Sequence, residues 1–392
     1  MSPTATNTNA AQDDGGPSPL SLVLSYPNLT SPSTIASLRR AMVGLGFFYL
    51  SDSPLESERD RLFALTRRFF SSNHTSPEEK RSIEQEKSRH FRGWSGLGLE
   101  HTQDKPDNRE QIDLGIESPA FPQGLQPHYL NLYGPNQFPA SIPELRDAVL
   151  SYMEKAEEVT VHLTKAIEMA LGVEEGRLGD CLGLEGKEEG FEKIKALAQR
   201  STPPTDAELE DALPRFLPYE RMKLVKYGSE GNPQGVGAHR DGGWITLLAT
   251  DQQPGLQVED VAGQWIDVPY KPGCILVNFG QQLERVSSGL IRAATHRVHI
   301  YPSPDGRVSL PYFSMPSLRA VIDPIPRGEM SAEALQEEES RDAEKRMGGR
   351  KTVVPEGDLH GSATEEFGHT AWRSLIRSHP NTFQRWYGKV GA

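Results

Sequence analysis

The chain has 392 residues, 36% of them apolar, which is enough for a well-buried core and leaves open either several domains or one elaborated domain. Its 54 acidic and 42 basic side chains give a formal charge of -12, which repels phosphate backbones and anionic bilayers and argues against nucleic-acid and membrane partners. Cys181 and Cys274 form no CxxC pattern, and no segment has the apolar length of a signal peptide or a membrane span, so a soluble, cytoplasmic protein with reduced thiols is expected.

Residues 1–17 are rich in Ser, Thr, Asn, Asp and Gly and bury too little apolar surface to offset the entropy of ordering, which predicts a disordered tail. Ile35, Leu38, Met42 and Leu45 recur at helical spacing, and Gly46 then opens GFFYL, whose aromatic content suits a strand. Leu62, Leu65 and Phe69 mark a second amphipathic helix. SPEEKR at 76–81 predicts a third, with Ser76 as N-cap, Pro77 at the first helical position and Glu79 closing a capping box. FRGWSGLGLEHTQDKPDNREQIDLG, residues 91–115, has many glycines and no sustained periodicity, and is expected as a long irregular excursion of the lid type. From 141 to 172 the spacing predicts a buttress helix, with Leu145, Val149, Tyr152, Ala156, Val159, Leu163 and Ile167 on one stripe and Gly172 at its end.

After about residue 220 the texture changes. MKLVKY, WITLLAT, GLQVED, WIDVPY, CILVNFG, RAATHRVHIY and RVSLPYF are short β-branched runs separated by Gly, Pro, Asp and Asn, which predicts a sandwich or jelly-roll barrel. Beyond them, EMSAEALQEEESRDAEKRMGGRK predicts a charged, solvated helix or insertion, and AWRSLIRSHPNTFQRWY an amphipathic segment packed back onto the barrel. The fold class is therefore mixed α and β.

Within GAHRDGGWITLL, His239 and Asp241 stand two positions apart, so on a strand they point the same way. THRVHIY offers His296 and His299, which face opposite sides, and only one of them can look into the barrel. With His296 the set becomes two neutral imidazoles and a carboxylate, a grouping that leaves open coordination positions and is used by non-haem Fe(II) oxygenases. The other histidines lack a ligand partner at short spacing and read as surface or satisfied core residues.

GFFYL, KLVKYG, GAHRDGGWITLLATDQQPGLQV, GQWIDVPYKPGCILVNFGQQLE, SSGLIRAATHRV and RVSLPYF follow one another across most of residues 18–320. In these pieces the chain resembles the isopenicillin N synthase-like family of Fe(II)/2-oxoglutarate-dependent dioxygenases. The resemblance implies an N-terminal dioxygenase region at 18–120, helical support at 121–215, a double-stranded β-helix (jelly-roll) core at 216–320 and a C-terminal extension at 321–392. It carries over His239, Asp241 and His296 as Fe(II) ligands, and Arg307, Ser309 and Tyr227 as the residues that hold the distal carboxylate of 2-oxoglutarate. No catalytic residue beyond the metal ligands is implied. A guanidinium suits the carboxylate, which it grips through two parallel charge-assisted hydrogen bonds. Arg92 and Trp94 in the glycine-rich excursion, with Trp244 and Phe313 beside the metal strands, are candidates for lining the substrate pocket. The chain departs from the family pattern at Gln281, where many relatives have Asp, and in the length of the acidic insertion after Met330.

The implied reaction joins dioxygen, 2-oxoglutarate and a small organic metabolite, with hydroxylation, desaturation or ring rearrangement of the metabolite and release of succinate and CO2. Secondary metabolism is the expected setting. The rival readings are an iron oxidase of the same family that needs no 2-oxoglutarate, a zinc hydrolase, for which no HExxH pattern is present, and a non-catalytic jelly-roll binding module. Substrate identity, the position oxidised and the oligomeric state depend on surfaces that a linear pattern does not display.

Overall fold

The computed structural model describes residues 20–103, 105–121, 126–200, 202, 204–205, 207–208, 217–229, 231–348 and 364–388, so the tail expected at 1–17 lies outside the described residues. After strand β1 (Val23–Ser25), helix α1 (Pro32–Val43) starts where Ser31 Oγ accepts from the Thr34 backbone, and it buries Ile35, Leu38 and Met42. Gly46, at φ 74°, turns the chain into β2 (Phe47–Ser51); a side chain there would run into the Arg292 carbonyl. Helix α2 (Glu56–Phe70) follows, then α3 (Pro77–Ser82). Ser76 caps α3 by accepting from Glu79 N, while the Glu79 carboxylate accepts from the Ser141 backbone at 2.6 Å.

Residues 91–115 correct the expectation of an irregular excursion. They form β3 (Gly93–Ser95), a short hairpin of β4 (His101–Thr102) and β5 (Lys105–Pro106), and the seven-residue strand β6 (Arg109–Gly115). In β6 only Ile112 and Leu114 alternate as buried apolar residues, while Gln111 and Asp113 are buried against polar and charged partners, so the apolar pattern is too short to stand out in the sequence.

Helix α4 (Glu144–Leu171) buries its whole predicted stripe and ends at Gly172, φ 71°, whose N–H returns to the Glu168 carbonyl. Each fully buried aliphatic side chain of that stripe contributes roughly 1.5–3 kcal/mol. Helix α5 (Lys187–Ala198) follows.

All seven β-branched runs are strands: β7 (Tyr219–Tyr227), β9 (Ile245–Thr250), β10 (Leu256–Glu259), β11 (Trp265–Asp267), β12 (Cys274–Phe279), β13 (His296–His299) and β14 (Val308–Met315). An eighth, β8 (Gln234–His239), carries the first candidate ligand, and a short helix α6 (Gln281–Val286) follows β12. The major sheet runs β1-β2-β12-β9-β14-β7-β6-β3 and the minor sheet β11-β10-β13-β8, the two walls of a double-stranded β-helix. Strands from residues 23–115 thus complete the sheet built by residues 219–315. Period-two alternation divides the major sheet: Met222, Leu224, Leu247, Val277 and Leu310 belong to the core that includes α4, while Val225, Leu248, Ser309 and Phe313 line the barrel interior.

The acidic segment after Met330 also differs from expectation. It forms α7 (Ala332–Gly348), which packs against α1 and buries Ala334, Glu338 and Arg341 instead of lying in solvent. Helices α8 (Phe367–Ser378) and α9 (Pro380–Tyr387) dock through Trp372 and Tyr387, which pack around the ring of Phe91. Among the described residues no helix is long and apolar enough to cross a membrane.

Candidate active site

His239 closes β8 and His296 opens β13; they are paired across the minor sheet with ring centroids 4.3 Å apart. Asp241 lies just past the end of β8, so strand alternation does not place it; backbone ties do. Gln281 N donates to the Asp241 carbonyl at 2.8 Å, Gly280 N to Trp244 at 2.8 Å and Gln282 N to Gly243 at 3.0 Å, stitching the 241–244 turn to the start of α6. Asp241 Oδ1 stands 3.7 Å from Nε2 of each histidine, and the three ligand atoms lie within 4.8 Å of one another. His299 instead points away, its ring packed edge-on against Tyr301.

The surrounding bonds orient every one of these atoms. His239 Nδ1 faces the Gly237 carbonyl at 2.9 Å and His296 Nδ1 the Ala294 carbonyl at 3.2 Å. A carbonyl only accepts, so each Nδ1 carries the hydrogen and each Nε2 presents its lone pair to the centre. Thr246 Oγ1 and Asn278 Nδ2 both donate to Asp241 Oδ2, at 2.6 and 2.7 Å, which leaves Oδ1 facing the imidazoles. Burial, helped by the neighbouring His296, pushes the His239 ring down to about 4, so it is neutral at pH 7. Burial would raise the Asp241 carboxyl, yet the two imidazoles and the hydrogen bonds from Asn278 and Thr246 hold it below the usual range, as the carboxylate. The result is two imidazole nitrogens, that of His239 neutral, and one anionic oxygen directed at a common point.

These atoms open into a cavity of about 520 Å³. Arg307, Ser309 and Tyr227 line the same cavity: the Arg307 guanidinium sits 4.9 Å from the Tyr227 ring centroid, and the Tyr227 hydroxyl is 3.3 Å from Ser309 Oγ. Arg307 is only 6% exposed, and its Nε and Nη1 have no hydrogen-bond partner among the described residues. A buried guanidinium without an anion is costly, so this one suits a ligand's anionic group.

Of the four candidate substrate contacts, Phe313 lines the cavity. The other three need correction. Arg92 is 1% exposed, does not line this cavity, and donates to the Leu132 carbonyl at 3.1 Å with its head packed against Gly115. Trp244 is fully buried in the apolar core behind β9. Trp94 faces a smaller neighbouring cavity of about 250 Å³, and its indole N–H donates to Glu110. Sequence reading misses Thr246 and Asn278, although each is a polar residue inside an apolar strand run, which is the available signal.

A second His and carboxylate cluster, Glu100, Asp113 and His379, has ligand-like spacing. It is already neutralised: Lys223 Nζ lies 3.2 Å from Glu100 and 3.4 Å from Asp113, Arg109 2.6 Å from Glu100, and Arg221 2.8 Å from Asp113. This is a buried ion network beside the cavity.

Comparison with known proteins matches this geometry to a family. Residues 20–141 match the model described as non-haem dioxygenase in morphine synthesis N-terminal, and residues 219–316 that of the 2OG-Fe(II) oxygenase superfamily. A 2-oxoglutarate-dependent dioxygenase of Gibberella zeae is 33% identical over 77% of this chain and 76% of its own length. The 2-oxoglutarate-dependent dioxygenase frbJ of Dothideomycetidae sp. is 29% identical over 94% of this chain and 90% of its own. A full-length Neurospora crassa protein, solved in complex with alpha-KG, shares the fold at a TM-score of 0.58 and 21% identity, over 82% of this chain and 93% of that one. The two imidazole nitrogens, the single carboxylate and the unpartnered guanidinium fit the cofactors such enzymes require, and the chain belongs to the 2OG-Fe(II) oxygenase superfamily as an Fe(II)- and 2-oxoglutarate-dependent dioxygenase.

Proposed function

We propose that His239 Nε2, His296 Nε2 and Asp241 Oδ1 hold the Fe(II), that Arg307 with Ser309 and Tyr227 binds the distal carboxylate of 2-oxoglutarate, and that the rest of the cavity takes a small organic metabolite. The observation that carries this reading is the buried Arg307 guanidinium, short of partners, in the cavity that holds the three ligand atoms. Bound there, iron and 2-oxoglutarate supply oxidation of a C–H bond by dioxygen, with succinate and CO2 as co-products.

The chain's own part is positional. Asn278 and Thr246 hold Asp241 so that one oxygen stays directed at the metal position. Val236, Leu248, Leu256 and Val298 give the cavity an apolar lining that limits water around the reacting carbon. Phe313 borders the space left for the substrate. Secondary metabolism in the cytoplasm is the proposed setting, supported by two unbridged cysteines that suit a reducing compartment.

Anaerobic addition of Fe(II) and then 2-oxoglutarate tests the assignment through the visible charge-transfer band of an iron-bound 2-oxo acid. Asp241→Ala should abolish the band, and Arg307→Lys, which loses the two-pronged grip, should raise the half-saturating 2-oxoglutarate concentration about tenfold or more. A full band in Asp241→Ala at limiting iron would contradict the ligand set.

A further inference from the structure

Five cationic side chains line the metal cavity: Arg109, Lys223, Arg240, Arg307 and Arg377. Their partners sort them. Arg109 is paired with Glu100 at 2.6 Å and Asp107 at 3.1 Å, Lys223 with Glu100 at 3.2 Å and Asp113 at 3.4 Å, and Arg240 with Glu284 at 2.6 Å. Within the ion network the charges of Arg109, Arg221 and Lys223 match those of Glu100, Asp107 and Asp113, so that wall presents no excess of either sign. Arg307 and Arg377 alone among the five have no carboxylate partner among the described residues. On the reading given above, Arg307 is taken by 2-oxoglutarate; the two carboxylates of that cosubstrate balance Fe(II), and Asp241 balances Arg307. One positive charge, Arg377, is left over in a cavity of a chain whose formal charge is -12.

The position of Arg377 is built. It stands in the last turn of α8, where Ser374, Arg377 and Ser378 recur at helical spacing and all line the cavity. His379, two positions on, is buried, with Nε2 3.4 Å from Glu100 Oε1 and 3.2 Å from Gln85 Nε2, and Thr382 Oγ1 is 3.2 Å from Gln85 Oε1. These contacts anchor the end of α8 beside the cavity while the Arg377 side chain itself stays exposed for an incoming partner. Val225, Leu248, Pro311 and Phe313 provide apolar surface in the same space.

We infer that the substrate is an organic acid with an apolar body, and that Arg377 is the anchor for its carboxylate. The inference rests on the Fe(II)/2-oxoglutarate reading and extends it to the class of molecule oxidised. Charge-assisted bonding by a guanidinium fixes one end of the substrate, so the residue sets KM and the choice of substrate.

The test uses the full chain loaded with Fe(II) and 2-oxoglutarate. A panel of aryl and alkyl carboxylic acids, each beside its methyl ester and the corresponding primary amine, is screened for accelerated succinate formation. Acceleration should concentrate among the free acids. Arg377→Gln should raise the KM of the best acid about tenfold or more, Arg377→Lys by less, and both should keep the parent's melting temperature and 2-oxoglutarate charge-transfer band. Esters or amines that serve as well as acids overturn the inference, as does an acid whose KM is unchanged in Arg377→Gln, or a panel in which no acid accelerates turnover while 2-oxoglutarate still binds. Failure of the parent to form the charge-transfer band sinks the underlying reading instead.

Discussion

At the scale of single residues, Asp241, the proposed carboxylate ligand, shows how much of a ligand's competence is set by groups that never touch the metal position. One oxygen accepts from both Thr246 and Asn278, and that bonding both fixes the carboxylate plane and keeps it ionised despite burial. Asn278→Ala removes one of these donors, and loss of such outer partners typically costs about 10- to 100-fold in metal affinity. The expected outcome is an Fe(II) dissociation constant raised about tenfold, read by competition with a chelator; a change below about twofold would mean that Thr246 alone orients the carboxylate. The grouping of His239 with Asp241 is suggested by their short spacing, although the turn after β8 and not strand alternation places Asp241, and His296 is suggested because only one of two nearby candidates can face inward. The expectations for Arg92 and Trp244 fail for a common reason: proximity in sequence to a site says nothing about which side of the sheet a large side chain takes. Both go into the protein interior, Trp244 into the core shared with α4 and Arg92 onto the Leu132 carbonyl.

At the scale of elements, the barrel strands are legible from β-branched runs, whereas β6 is hidden because only Ile112 and Leu114 alternate in it and its inward residues are Gln111, buried by hydrogen bonding, and Asp113, buried by ion pairing. The turn that carries Asp241 is hidden too, since it depends on the close approach of two glycines. A side chain at Gly280 would collide with the Gly243 backbone although the φ of Gly280, -97°, suits any residue, so the obstacle is steric. Gly280→Ala should therefore push the 241–244 turn, costing about 1–3 kcal/mol and weakening Fe(II) binding together. Gly328→Ala, where nothing lies within 4 Å, is the control and should leave both unchanged. Where β7 meets α4, burial and the neighbouring Glu157 push the Glu220 carboxyl well above its usual range. A raised folded value means that stability is fully present below about pH 4.5 and is lost as pH rises toward that value. Glu220→Gln keeps a hydrogen-bond donor toward Glu157 and cannot ionise, so its melting temperature should fall less than the parent's between roughly pH 5 and pH 9. Parallel curves for the two proteins would show that Glu220 does not titrate across that interval.

For the whole molecule, the seam between the N-terminal region and the C-terminal helices decides how the cavity wall bearing Arg377 stays in place. Two histidines are buried along that seam: His90, bonded to the Asn131 carbonyl at 2.7 Å, and His379, set among Glu100, Asp113, Lys223 and Arg221. Burial lowers both to about 4; for His379 the two carboxylates oppose the shift, and Lys223 and Arg221 reinforce it. A depressed folded value means stability that is present above the unfolded value of about 6.5 and lost as pH falls toward 4. By about pH 4.5 each ring should have cost about 2–3 kcal/mol. The carboxylates of the network cannot mimic this loss, because Glu100 and Asp113, held low by Lys223 and its neighbouring arginines against the opposing effect of burial, begin to matter only below their ordinary range. None of this is readable in the sequence, since His379 lies hundreds of positions from its partners and only the closed fold brings them together. The melting temperature should accordingly fall between about pH 6.5 and 4.5, and His379→Gln, which cannot take up a proton, should remove about a third of that fall, His90 and the likewise lowered His239 accounting for the rest. If His379→Gln instead loses stability equally at every pH, the ring is a packing and hydrogen-bonding element, and acid sensitivity belongs elsewhere in the molecule.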